Sequence, residues 1–271
     1  MTLQPPNLTQ PILQTQMLGK SFLGLQALQD FSITVNANEI LGLIGPNGAG
    51  KTTCFNLLTG FLVPTAGQIH FKDTNITGQP PAQIARLGLA RTFQNIRVFN
   101  SLSVLENVMA AAQLRMHFTF GELLLSAPGF RRKEELVTVR SHELLNLLGL
   151  SEYANRSAAS LPYAHQRRLE IARALATEPQ LLLLDEPAAG MNPSESDSLH
   201  QLILDLRSRF NLTILLVEHD MRLVMNLCER IIVLNYGDII AEGKPEAVRV
   251  DPQVIAAYLG EDYSQIEANR A

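Results

Sequence analysis

Eight residues, Gly45-Pro-Asn-Gly-Ala-Gly50-Lys51-Thr52, constrain the fold of this chain more than any other feature. They match G-x-x-x-x-G-K-[ST] and lie between a strand-like run, Glu39 to Ile44, and a helix-like segment, Lys51 to Thr59. Such a strand–loop–helix unit is built around an anion. Glycines let backbone N–H groups turn inward without Cβ clashes, and the following helix aims the positive end of its dipole at the same point. Lys51 is then set to reach the β- and γ-phosphates of a nucleotide, and Thr52 to bind Mg²⁺ through its hydroxyl. Thr53 adds a second hydroxyl near the α-phosphate. Gly45, Pro46, Asn47, Gly48, Ala49, Gly50, Lys51, Thr52 and Thr53 are therefore the candidate nucleotide-binding residues. The competing reading, a chance match in a glycine turn, is disfavoured by the flanking strand and helix. Cys54, next in line, reads as a small packing residue.

The rest of the chain supports an α/β core. Leu181 to Leu184 and Thr213 to Val217 are almost purely apolar and of strand length, and helical patterns precede and separate them over Gln166–Ala176 and Glu195–Phe210. Uniformly apolar strands separated by helices imply a parallel sheet covered on both faces. Phe31 to Val35 and Gln68 to Lys72 alternate with period two, as half-buried strands do. Ile231–Tyr236 and Asp238–Glu242 around Gly237 read as a hairpin. Val104 to about Gly149 carries a helical pattern, with Leu105, Val108, Met109 and Ala112 on one face and Leu144, Leu145, Leu147 and Leu148 spaced alike, and between these helices lies Met116 to Glu135 with Pro128-Gly129. The basic cluster Arg131-Arg132-Lys133 within it is either a solvated face or a contact with a partner subunit. The expected shape is an α/β core with an inserted helical block.

Composition narrows the partners. Of 271 residues 46% are hydrophobic, enough to bury a large core and to exclude global disorder. Lys plus Arg number 22 against 26 Asp plus Glu, and a net charge of −4 argues against nucleic acid as the main partner. Two cysteines, Cys54 and Cys228, cannot form a disulfide framework or a four-ligand zinc site. No apolar stretch approaches the roughly 18–20 residues a spanning helix needs, so a membrane role is expected to come through a partner. Residues 1–16 carry no charge and three prolines, and lack the basic and apolar regions of a secretory signal. They read as a flexible tail.

A second motif completes the chemistry. The apolar run Leu181–Leu184 ends in Asp185-Glu186-Pro187. In a phosphoryl-transfer site the first acid, Asp185, holds Mg²⁺, usually through water, and the second, Glu186, orients and deprotonates the attacking water. Both motifs are expected at strand ends of one sheet, where open α/β folds bind ligands.

Together these segments resemble the nucleotide-binding subunit of an ATP-binding cassette (ABC) transporter, from Met17 to Gly260. The resemblance implies a P-loop NTPase fold of α/β class: a mostly parallel core sheet, an antiparallel β subdomain and a helical subdomain over about 100–175, with tails at 1–16 and 261–271. It implies that Phe22, in Lys20-Ser-Phe-Leu-Gly24, stacks on adenine rather than serving as a core phenylalanine. Gln94, in Arg91-Thr-Phe-Gln-Asn95, matches the glutamine that senses Mg²⁺ and the attacking water, and couples the site to membrane subunits. His219, in Val217-Glu-His-Asp220, matches the switch histidine that hydrogen-bonds the γ-phosphate. The family's signature, usually Leu-Ser-Gly-Gly-Gln, corresponds here to Leu161-Pro162-Tyr163-Ala164-His165. Pro162 replaces the serine and offers neither hydroxyl nor backbone N–H. Ala164 keeps its N–H, and His165 either donates a hydrogen bond or caps the helix. The loop after Pro187, Ala188-Ala-Gly-Met-Asn192-Pro193, matches the segment that communicates across a cassette dimer.

In this family the signature closes over the γ-phosphate of ATP held by a second cassette. With one copy of each motif, the resemblance implies a partner cassette, identical or related. It also implies integral membrane permease subunits, an external solute-binding protein reached through them, and a peripheral place on the cytoplasmic face of the inner membrane. Leu89 to Phe99, the long insertion from Gln113 to Glu135, Tyr163 in the signature, Gln166 to Arg173, Gly190-Met-Asn-Pro193 and Ala257-Tyr-Leu-Gly260 are similar to cassettes for branched-chain or neutral hydrophobic amino-acid uptake. Urea or amide uptake is the alternative among transporters. An ABC ATPase acting on ribosomes or DNA is the alternative outside them.

Overall fold

The computed structural model describes residues 11–115 and 128–259. The chain divides into two compact units, Met1–Pro81 with Ile203–Ala271, and Ala82–Leu202.

In the first unit, β1 (Pro11–Phe22) pairs antiparallel with β2 (Leu25–Phe31), β3 (Thr34–Asn36) and β5 (Ala66–Phe71). Strand β6 (Thr74–Asn75) closes that sheet on β5. The strand therefore begins inside the segment expected to be a tail through Gln16. Ile12, Leu13 and Thr15 are buried there, and this apolar anchoring outweighs the lack of charge that suggested disorder. Residues 1–10 lie outside the described residues, as do 116–127 of the expected insertion and 260–271 at the C-terminal end. The single strand expected over Phe31–Val35 is divided. Thr15 Oγ1 donates to Phe31 O (2.8 Å) and accepts the Ile33 N–H (3.0 Å), so a side chain replaces the ladder bonds at the break.

The same unit carries β4 (Ile40–Ile44), flanked in parallel by β10 (Arg230–Asn235) and β9 (Thr213–Val217). Every residue of β4 and β9 is buried, which is why neither alternates: both faces are covered. Strand β11 (Asp238–Gly243) returns antiparallel on β10, as the Gly237 hairpin reading expects. Helix α1 (Lys51–Leu58) leaves β4 through the glycine loop.

The second unit begins with α2 (Pro81–Leu87) and pairs β7 (Leu89–Arg91) in parallel with β8 (Leu181–Asp185). Between them run α3 (Val104–Ala112), α4 (Pro128–Leu147) and α5 (Tyr163–Ala176), and α6 (Pro193–Phe210) follows β8. Ser103 starts α3 with a capping box: its hydroxyl accepts the Glu106 N–H (3.2 Å) while Glu106 accepts the Ser103 N–H (2.7 Å). The Ser103 N–H and the Ser103 hydroxyl, both donating to the Glu106 carboxylate, hold it below the usual carboxylate range. The unit is wider than the expected block of about 100–175, because β7 and β8 bond to each other and belong to it.

Candidate functional site

The glycine loop is a concave backbone surface. Gly45 (φ 153°) and Gly50 (φ 108°) both lie where a side chain is strained. An added Cβ would sit 2.0 Å from Leu234 O at Gly45 and 2.6 Å from Ala27 O at Gly50, so both are packed from behind. At Gly48 (φ 81°) an added Cβ meets nothing within 4 Å, so this glycine faces open space. Gly50 is the N-cap of α1 and supplies no side-chain cap, leaving first-turn N–H groups for an anion to satisfy. Lys51 is 6% exposed, and its ammonium donates to Gly45 O (2.7 Å) and Pro46 O (2.9 Å). The cation is thus held over the loop by the loop's own carbonyls. Thr52 is exposed at the helix start and Thr53 half-buried. An uncapped helix end, an open glycine and a poised lysine fit a polyphosphate.

Two further predicted residues belong to this unit. Phe22 ends β1 opposite Leu25, across the two-residue turn Leu23–Gly24, in which both residues have positive φ. Its ring is 41% exposed, and Lys20 Nζ stands 5.1 Å from the ring centroid. An exposed ring is what stacking requires, and the core reading is overturned. His219 follows β9 and is exposed. Its N–H donates to buried Glu218 (2.9 Å), while Asp220 caps α7 (Met221–Leu227) by accepting the N–H groups of Arg222 and Leu223. The histidine is therefore presented from a braced turn. The Tyr258 hydroxyl, on the final helix α9 (Pro252–Leu259), which follows α8 (Pro245–Arg249), is raised in pKa by burial and lowered in part by a hydrogen bond from the Gly45 backbone.

The second unit gathers the other predicted residues. Asp185 ends β8, and its Oδ2 accepts from Arg91 Nη2 at 2.7 Å, both side chains being 5% exposed. The Asp185 N–H donates to Thr92 Oγ1 (3.2 Å). Glu186 takes φ 47°, a left-handed conformation that costs a non-glycine residue about 1–2 kcal/mol and is used where a chain must turn sharply. Its Oε2 accepts from Gln94 Nε2 at 2.9 Å. Gln94 and Glu186 are thus brought together 92 residues apart. Arg91 is the participant that sequence reasoning missed, although it lies three residues before Gln94. The signal was a lone charge at the end of a short apolar strand.

The signature segment leads into α5, which starts at Tyr163, three residues before the expected Gln166. Pro162 (φ −55°, ψ 152°) occupies its N-cap, and no side chain caps the helix. His165 is no cap: its ring lies against Tyr153, centroids 4.9 Å apart. Leu161 is buried, Ala164 half-buried, and Tyr163 45% exposed. Arg167 is fully buried and Glu170 nearly so, their charged groups 2.9 Å apart. Burial pushes the Glu170 carboxyl up in pKa, against the opposing pull of Arg167 and of the Phe93 and Arg97 N–H groups.

Thr52 in the first unit, and Asp185 and Gln94 in the second, each offer the kind of oxygen donor preferred by Mg²⁺, a hard cation that keeps several waters and uses one or two carboxylates plus substrate phosphates. Among the described residues no cluster of three or more His, Cys, Asp or Glu could hold a metal, and a Mg²⁺ bound in that manner does not require one. No helix among them is long and apolar enough to cross a membrane.

Comparison with known proteins is consistent along the chain. Residues 28–189 match the family described as "ABC transporter", and residues 239–264 match "Branched-chain amino acid ATP-binding cassette transporter". The Escherichia coli (strain K12) high-affinity branched-chain amino acid transport ATP-binding protein LivG is 48% identical over 254 residues, covering 94% of this chain and all of the relative. Pseudomonas aeruginosa BraF, described in the same words, is 47% identical over the same length and coverage. The crystal structure of the ADP conformation of MJ1267, an ATP-binding cassette of an ABC transporter, superposes with a TM-score of 0.80 at 33% identity, covering 93% of this chain and 100% of that one.

Proposed function

The chain belongs to the ABC transporter family of ATP-binding cassettes, which hydrolyse ATP to power transport, and from this we propose that it energises an importer of branched-chain or neutral hydrophobic amino acids. The observation that carries the solute class is the 48% identity to a branched-chain amino acid cassette along nearly all of both chains. The match of residues 239–264 to a branched-chain amino acid cassette family supports the same class.

In this reading Gly45 to Thr53 wrap the phosphates, with Lys51 exchanging its two carbonyl partners for the β- and γ-phosphates. Phe22 stacks on adenine. Bound Mg²⁺ supplies charge neutralisation of the phosphates, and the residues that would hold it are Thr52, Gln94 and, through water, Asp185. Glu186 orients the attacking water and takes its proton. Gln94, hydrogen-bonded to that carboxylate, reports the state of the site. His219 hydrogen-bonds the γ-phosphate. Leu161 to His165 act in trans, on nucleotide held by a second cassette, with the Ala164 N–H and the α5 N-terminus favouring the anion. The cassettes pair on integral permease subunits at the cytoplasmic face of the inner membrane, and the external binding protein is engaged only through those subunits.

The test is ATP-driven leucine uptake in vesicles holding this chain, its permeases, its partner cassette and its binding protein. Glu186→Gln removes the base and retains the size. It should keep nucleotide binding, abolish turnover and uptake, and hold the cassettes together in ATP. Turnover by that variant at the wild-type rate refutes the role of Glu186. An active ATPase that takes up no leucine or related amino acid refutes the solute class.

A further inference from the structure

The segment between β7 and α3 carries Gln94 and has no regular secondary structure over 92–103. A loop of that length ordinarily supplies its own flexibility. Here its main chain is held by α5. Arg167 Nη1 donates to Phe93 O (2.5 Å) and Nη2 to Gln94 O (2.8 Å). Glu170 Oε1 accepts the N–H groups of Phe93 (3.1 Å) and Arg97 (3.3 Å). Arg173, one turn further on, donates to Arg97 O and places its guanidinium 4.6 Å from the Phe99 ring centroid. At the far end of the loop, Asn107 of α3 accepts the Phe99 N–H (2.8 Å) and donates back to Phe99 O (3.0 Å).

The same guanidinium reaches forward to the signature. Arg167 Nη2 donates to Tyr163 Oη at 3.2 Å. Tyr163 in turn covers Gly190 (φ 77°), where an added Cβ would lie 3.3 Å from the ring. One buried side chain therefore joins the carbonyl of Gln94, the tyrosine of the signature and, through it, the loop that follows Glu186.

Stability alone does not account for this arrangement. A buried ion pair is often matched or exceeded in stability by well-packed apolar residues of similar volume. The directional bonds to loop main chain are what apolar residues cannot supply. We propose that Arg167 and Glu170 are positioning residues that fasten the Gln94 loop to Tyr163 and the Gly190 turn, so that a displacement of Gln94 is transmitted to the signature. This rests on the roles assigned above to Gln94 and to the signature.

The test uses the assembled transporter and two variants. Glu170→Gln keeps shape and one acceptor but loses the charge. Arg167→Met with Glu170→Leu replaces the pair by apolar groups that retain the packing while removing the pair's own bonds to Phe93, Gln94 and Arg97. For both, KM for ATP should stay within about twofold while kcat falls about 10- to 100-fold, the scale of a misplacement near 1 Å. The thermal midpoint of the double variant should remain near wild type. A purely structural pair predicts the reverse, a lowered midpoint with kcat retained per folded complex, and that result overturns the proposal. If the double variant does not assemble, unchanged kcat in Glu170→Gln alone overturns it. Wild type and Glu186→Gln are run beside them: a silent wild type or an active Glu186→Gln condemns the underlying functional reading, whereas normal controls with unaffected variants condemn only the fastening role.

Discussion

Arg91→Met removes the guanidinium that lies 2.7 Å from Asp185 Oδ2, in a pair whose side chains are each 5% exposed. At that burial solvent screens little, so the surface value of under about 1 kcal/mol for an ion pair does not apply. Desolvating the carboxylate costs several kcal/mol, and in the native protein the Arg91 guanidinium offsets that cost. Truncating the arginine alone leaves the carboxylate buried without its counter-charge. The expected destabilisation is about 3–5 kcal/mol, or about 6–20 °C in thermal midpoint at roughly 2–4 °C per kcal/mol for a chain of this size. Arg91→Met with Asp185→Leu removes both charges and should recover to within about 1–2 kcal/mol of wild type. The assay is urea denaturation of the full chain in metal-free buffer, read by circular dichroism, with the double-mutant cycle giving the coupling. Metal is omitted so that Mg²⁺ cannot stand in for the lost guanidinium. A loss below about 1 kcal/mol for the single variant, or a double variant as unstable as the sum of the singles, refutes the buried-pair argument.

Gly50→Ala and Gly48→Ala should separate. The first drives a Cβ to 2.6 Å from Ala27 O and should lower stability clearly, whereas the second meets only open space and should cost about 1–2 kcal/mol of left-handed strain while crowding nucleotide, as isothermal titration with ATP would show. Pro162→Ser supplies the side-chain cap that α5 lacks and should stabilise the chain by about 1 kcal/mol in the same denaturation assay. Phe22→Ala removes an exposed ring and should weaken ATP binding by about tenfold or more, as base stacking on an aromatic is worth about 1–3 kcal/mol, with little change in folding stability. The Cys228 thiol is pushed from 9.0 up to about 12, mainly by burial, so native protein at pH 8 should resist iodoacetamide there. A raised native pKa means this site's contribution is complete below pH 9 and lost as pH climbs towards 12, so Cys228→Ala should flatten the alkaline fall in stability over that window.

The chemistry of the chain was legible because it is local. A glycine loop between a strand and a helix, two acids at a strand end and a histidine after the next apolar run are patterns of neighbours, and short continuous apolar runs marked β4, β8 and β9. Strand β1 was misjudged before Met17 because an uncharged, proline-bearing segment reads as tail unless the partner strands that bury Leu13 and Thr15 are known. The start of α5 was placed late because Pro162 disguises an N-cap position. Gln94 and Glu186 were each named from sequence, yet their hydrogen bond spans 92 residues, and no spacing rule reaches that far. Arg91 and Arg167 went unassigned for the same reason: a charged side chain declares its role only through the group it meets. Which residues can do chemistry was thus written in short runs, where backbone geometry and side-chain type act together. Which charges are buried, and on what they are spent, was decided by the packing of distant segments, since desolvation and hydrogen-bond direction exist only once the chain has closed around them.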